Sequence, residues 1–224
     1  MLTRHRRSLS LVQRGILAVG CGITAVRDPY RYDCVAYATE ATTLPSQLEQ
    51  VKKRILSTDE GRRLLDAKPI INTNTVDFEH LKSLAPSTLG HEYQSMLERQ
   101  NISPDTRVPV KYVEDEEAAY VMLRYRQIHD FLHLLLDAPT NFEGESAVKA
   151  FEFSQTGFAV PFLGATAAPF YRLNSAKWKR HQKRLATLMK DNTYLHYLSV
   201  FYEERWDQDI DQLRKEIGIP QIFQ

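Results

Sequence analysis

Two histidines, an aspartate and a glutamate fall within HDFLHLLLDAPTNFEGE (129–145): His129, Asp130, His133 and Glu145. Two imidazoles with two carboxylates are a donor set that a divalent ion such as zinc, iron or manganese accepts. Geometry permits the four to meet. A helix rises about 1.5 Å per residue, and Pro139 interrupts the pattern with His133 six residues before it and Glu145 six after. Two antiparallel helices joined by a short turn there would hold those side chains at one height. His129 lies one turn below His133, Asp130 sits about 100° around from His129, and Gly144 lets the second helix come close. A plainer arrangement fits the same spacing: core-edge histidines, Asp130 paired with Arg126, and Glu145 in the first turn of its helix. H-x-x-x-H is common on helices, so spacing leaves both open. Two known motifs match poorly. An H-E-x-x-H metalloprotease has glutamate where Asp130 stands. An HD phosphohydrolase needs a further histidine and aspartate, for which His91 and Asp191 are the only loose candidates.

The elements that must position these groups are helical. EDEEAAYVMLRYRQIHDFLHLLLDA (114–138) predicts one long helix, with acids in its first turn, where they favour the positive end of the dipole. Val121, Tyr125, Ile128, Leu132 and Leu135 form its core stripe, with Met122, His129, His133 and Leu136 beside it. Thr140 or Asn141 can cap the helix that follows. Upstream, 34–41, 46–56, 59–67, 77–84 and 89–100 have helical spacing, and 101–113 is a proline-containing loop whose valine-rich end can be extended. Downstream, 153–171 carries no charged residue. Gln155, Gly157, Pro161, Gly164 and Pro169 interrupt it, which suits a kinked buried helix or the wall of a lipid pocket better than a membrane span. KWKRHQKRLATLMK (177–190) is basic, a solvated face or a surface for acidic headgroups. Residues 197–218 read as a closing amphipathic helix.

With Lys+Arg 29 against Asp+Glu 28, no global field argues for nucleic acid. Cys21 and Cys34 are the only cysteines, so neither a disulfide framework nor a cysteine zinc site can be built, and a reducing interior follows. Length and the 43% hydrophobic fraction fit one globular domain. Five arginines and no acid precede Asp28, and 15–26 is uncharged. That pattern suits a mitochondrial presequence, a membrane-surface helix or a plain amphipathic first helix; the uncharged run is too short to span a bilayer.

HD-x2-H-x11-E, from His129 to Glu145, resembles the signature of the ubiquinone (coenzyme Q) biosynthesis protein four family. Similar to that family, and in its order, are LVQRGILAVG near the start, DPYRYD (28–33), DEGRRLL (59–65), LGHEY (89–93), SPDTR (103–107), AYVMLRYRQIHD (119–130), PTNFEGE (139–145), QTG (155–157) and YEERW (202–206). The resemblance spans nearly the whole chain. It departs at KAFE (149–152), where the family usually has Lys-Trp-Phe-Glu, at Glu204, at Glu143, and across a basic 173–193 region.

The resemblance implies an all-α, single-domain helical bundle over 9–224 with a metal-binding hairpin and a lipid groove, 1–8 being a presequence or its remnant. It implies Zn2+ or another divalent metal such as iron at His129, Asp130, His133 and Glu145. It also implies a peripheral protein on the matrix side of the mitochondrial inner membrane. Its partners would be other coenzyme Q biosynthesis proteins, including the lipid-binding member; a homodimer is an open option. The implied reaction is loss of the C1 carboxyl from 4-hydroxy-3-methoxy-5-polyprenylbenzoate, simple or oxidative, with the polyprenyl tail along 153–171. In such a lyase Asp130 or a metal-bound water would deliver the proton, and Lys149 and Tyr125, one turn from Glu145 and His129, would hold the substrate's carboxylate or phenol. The alternative is a non-catalytic prenyl-lipid-binding scaffold that organises the complex.

Overall fold

The structure is a computed structural model that describes residues 6–28, 31–190 and 197–223; among them it has twelve α-helices and no β-strand. The DPYRYD motif, the first part of the expected presequence and Asp191 lie partly or wholly outside the described residues. Helices α1 (Leu11–Arg27) and α2 (Tyr32–Thr42) pair along their lengths. Ser10 and Gln13 cap α1 reciprocally. Arg14 reaches across to the carbonyls of Glu40, Ala41 and Thr43, covering the electronegative end of α2. Next come α3 (Pro45–Leu56), α4 (Asp59–Ala67), α5 (Phe78–Ser83) and α6 (Leu89–Gln100). Their starts carry the signals expected of them, proline in the first turn of α3 and side-chain caps from Thr58, Asp77 and Thr88.

The predicted helix over 114–138 is divided into α7 (Glu116–Gln127) and α8 (His129–Leu135), with Ile128 at φ −92°, ψ 2° between them. The cause lies outside the helix. Arg107 donates to the Arg126 carbonyl, which a continuous helix would use internally, and to the Asp130 carboxylate one turn on. All residues from Ala119 to Gln127 are buried, so α7 is central rather than one-sided. Its two interior arginines are paired: Arg124 with Glu203 and the Val200 carbonyl, Arg126 with Glu40 and the Ala36 carbonyl.

Helix α9 (Phe142–Thr156) ends at Gly157, at φ 68°, and α10 (Ala159–Arg172) folds back along it. The uncharged 153–171 stretch is thus a helix end, a glycine turn and a second helix. Basic α11 (Ser175–Lys190) also packs on α9. The predicted helix over 197–218 is corrected to two 3-10 turns, Tyr197–Ser199 and Tyr202–Glu204, and a short α12 (Ile210–Ile217). Its backbone is taken up by distant partners: Phe201 N–H donates to Glu60, and the carbonyls of Trp206 and Gln208 accept from Gly90 and Leu89. The valine-rich end of 101–113 forms no strand; a 3-10 turn at Pro104–Thr106 precedes it. No helix among the described residues is long and apolar enough to cross a membrane.

Candidate metal centre

The hairpin turn forms where the proline suggested. Asp137 adopts φ 54°, Ala138 N–H closes onto the His133 carbonyl, and Asn141 caps α9 through the N–H groups of Glu143 and Gly144. A Cβ on Gly144 would lie 1.8 Å from the Pro139 carbonyl oxygen, so only glycine lets α9 start this close to the turn. The result is a cluster of three: one donor atom each from His129, His133 and Glu145, all within 4.8 Å of one another. Glu145 spans both rings, Oε2 at 3.3 Å from His129 Nε2 and Oε1 at 3.2 Å from His133 Nε2.

The other ring nitrogens are fixed. His133 Nδ1 lies 3.2 Å from the Ala138 carbonyl, which can only accept, so Nδ1 carries the proton and Nε2 keeps its lone pair. That buried Nε2 has no hydrogen-bond partner, because its approach to Glu145 lacks the alignment of one. His129 Nδ1 faces Glu152 Oε1 at 2.7 Å. Glu152 is fully buried and also accepts from the Tyr125 hydroxyl at 2.7 Å and the Lys149 ammonium at 2.8 Å. Two imidazoles, each oriented by a second partner with Nε2 toward one carboxylate, make a donor set that suits zinc or iron.

Burial disfavours charge on His129, and Lys149 opposes it too, but Glu152 and Glu145 outweigh both and lift its pKa to about 9. Burial pushes Glu145 upward, yet the two imidazoles beside it, His129 and His133, hold it well below the usual carboxylate range. Burial likewise opposes ionised Glu152, and Lys149 and His129 bring it down to about 2.

Asp130 does not join the cluster in this structure. It points about 100° away around α8, where its carboxylate is bound by Arg107, whereas Arg126, the partner in the plainer arrangement, pairs with Glu40. Tyr125 is buried, its hydroxyl on Glu152 rather than toward open space, and burial raises its pKa well above the ordinary value. Lys149 keeps some exposure, its ammonium 3.4 Å from His129 Nδ1 and its stem against Gly164 of α10. Glu145 remains 45% exposed, so the cluster opens to solvent on its α9 side. On the other side, a cleft of about 760 Å³ reaches His133 and Pro139 between α6 and α12, lined also by Met96, Arg99, Arg214 and Phe223. None of the described residues of 153–171 lines it, so the expected tail path, as far as it is described, does not follow this cleft. Two residues of the site escape sequence reasoning. Glu152 stands seven residues after Glu145, on the same helical face as Lys149, which is a findable signal. Arg107 is twenty-odd residues upstream, with nothing local to mark it.

The model of the family described as coenzyme Q (ubiquinone) biosynthesis protein Coq4 matches residues 4–222. The mitochondrial ubiquinone biosynthesis protein COQ4 homolog of Danio rerio is 43% identical over 212 residues, covering 94% of this chain and 78% of its own. The COQ4 homolog of Aedes aegypti is 38% identical, covering 96% and 79%. The crystal structure of a Nostoc punctiforme protein, provisionally named for ubiquinone biosynthesis, superposes with a TM-score of 0.70 at 16% identity, covering 94% of this chain and 97% of its own. That likeness concerns the fold alone.

Proposed function

The chain belongs to the coenzyme Q biosynthesis protein Coq4 family and acts in ubiquinone biosynthesis, and from that premise we propose that it is a metal-dependent carbon–carbon lyase. The substrate in this reading is 4-hydroxy-3-methoxy-5-polyprenylbenzoate and the bond broken joins ring C1 to its carboxyl. The observation that carries the reading is the partnerless, buried Nε2 of His133 beside Glu145 and a second oriented imidazole. Three protein donors, His129, His133 and Glu145, leave coordination room that four would close, which favours a catalytic over a purely structural site. A zinc or iron ion held there supplies Lewis acidity toward the oxygens of the head group.

The chain's own residues divide the remaining work. Glu152 holds His129 in the ligating tautomer, and Tyr125 holds Glu152. Lys149 is the partly exposed cation beside the cluster. It meets the substrate carboxylate and, as carbon dioxide leaves, returns a proton to C1. In the oxidative form of the reaction molecular oxygen and water are consumed, a hydroxyl replaces the carboxyl, and carbon dioxide and hydrogen peroxide leave. Asp130, paired with Arg107, acts here by holding α8 in place. The names of the relatives support a mitochondrial location. We place the protein peripherally on the matrix side of the inner membrane, with other coenzyme Q biosynthesis proteins, including the lipid-binding member, as partners.

The test is release of carbon dioxide from prenylated head group by purified protein loaded with zinc or ferrous iron, in air and without oxygen. Turnover that disappears in His133→Ala together with bound metal supports the lyase. Full metal and lipid binding with no turnover under either condition would transfer the assignment to the non-catalytic scaffold.

A further inference from the structure

Helix α1 has two apolar faces, and among the described residues one of them is packed against neighbours and the other is exposed. At about 100° per residue, Leu17, Cys21 and Ala25 fall on one side, and these pack with Cys34, Ala38 and Tyr37 of α2 and with Val160 of α10. Val12, Ile16, Val19 and Ile23 fall within about 60° of arc on the opposite side. They are between 50% and 72% exposed, and Leu11 beside them is 85% exposed. Large aliphatic side chains in helical register are not scattered surface residues but a contiguous patch, which a folded chain rarely leaves bare without use. Helix α10 adds exposed Phe162 and Leu163. Its next residue, Gly164, lies against Lys149. Helix α10 therefore runs from the α1–α2 pair to the open side of the histidine–glutamate cluster.

Charge identifies what covers the patch. No acidic residue precedes Asp28, while Arg7 and Arg27 are exposed on either side of the stripe. Helix α11, which follows α10, has no acid and exposes Lys177, Lys179, Arg180 and Lys183. An apolar stripe with cationic flanks on a helix unable to span a bilayer is the design of an interfacial helix, its apolar side sunk about 5–10 Å into the headgroup boundary.

We propose that the outer stripe of α1, with Phe162 and Leu163, seats this protein on an anionic lipid bilayer. This orientation sets the Glu145–Lys149 mouth of the cluster near the membrane surface, where a prenylated substrate can pass along α10 without its tail crossing water. The proposal rests on the peripheral-membrane part of the reading above and is independent of the metal chemistry.

Flotation of the full chain with phosphatidylcholine vesicles, with and without cardiolipin, tests it. Wild type floats with the cardiolipin vesicles, and Ile16→Glu/Val19→Glu binds them about tenfold more weakly or worse. Lys179→Glu/Lys183→Glu lowers binding to the anionic vesicles and leaves any binding to neutral ones unchanged. Circular dichroism and metal content stay at wild-type values in both variants, so loss of turnover on soluble head group would count against the lyase rather than against this face. Equal flotation of wild type and Ile16→Glu/Val19→Glu would overturn the proposal, as would no flotation at all. A wild-type dimer in solution that the two glutamates split, with vesicle binding intact, would give the stripe to a second copy instead.

Discussion

Glu152 shows how a buried residue can govern a cluster it does not belong to. Its carboxylate takes three donors at once, from His129, Tyr125 and Lys149. Glu152→Gln removes the charge and keeps the shape, so metal affinity should fall about 10–100-fold. A chelator-competition titration reads this, and unchanged affinity would leave Glu152 a packing residue only. Asp130 makes the opposite case. With its carboxylate bound by Arg107, Asp130→Asn leaves a buried guanidinium short of its partner. The expected result is a loss of about 3 kcal/mol of stability with one equivalent of metal still bound. A folded Asp130→Asn that holds no metal would return Asp130 to the ligand set. Residue types and spacing in 129–145 bring out the donors, but not which carboxylate turns inward, because Arg107 decides that from a loop.

At the scale of elements, the hairpin depends on Gly144. The Cβ of an alanine there would overlap the Pro139 carbonyl oxygen, so Gly144→Ala should push α9 off the turn at a cost of about 3 kcal/mol. Because Glu145 follows directly, metal affinity should fall with stability, measured by urea unfolding with and without zinc; a variant of wild-type stability and affinity would deny Gly144 this role. The turn itself was legible, since proline, an asparagine cap and helical rise are local signals. Helices α4 and α6, with capping threonines and charged ends, were equally so. The break at Ile128 was not, because it is imposed by Arg107. Nor were the irregular turns between 197 and 209, whose amphipathic pattern is overridden by Glu60, Leu89 and Gly90. Local pattern specifies elements where the backbone satisfies itself, and fails where a distant group supplies the hydrogen bond.

Across the whole molecule, the titrating groups set opposing limits on the stability of the metal-free protein. His129, lifted from 6.5 to about 9 by Glu152 and Glu145 against burial, contributes stability that is complete below pH 6.5 and disappears as pH rises through about 9. His181 of α11 acts in the other direction. It is fully buried, its Nε2 lies 2.9 Å from the Ala165 carbonyl and 3.2 Å from Ser146 Oγ, and burial lowers its pKa below 6.5. Glu143 and Arg184, the charged groups that also act on it, form an ion pair with each other. The unfolded chain then binds a proton that the folded chain refuses, so stability from His181 is complete above pH 6.5 and falls as pH drops below it. Glu152, held at about 2, adds a separate acid loss that begins only near its ordinary 4.5. The unfolding midpoint in urea, followed in chelator from about pH 5 to 9, should therefore pass through a maximum near neutrality. His181→Gln should flatten the slope between about pH 6.5 and 5 while leaving the alkaline side unchanged. If the acid slope of His181→Gln matches that of wild type, the packing of α11 on α9 does not depend on a neutral imidazole, and another group carries the acid limit.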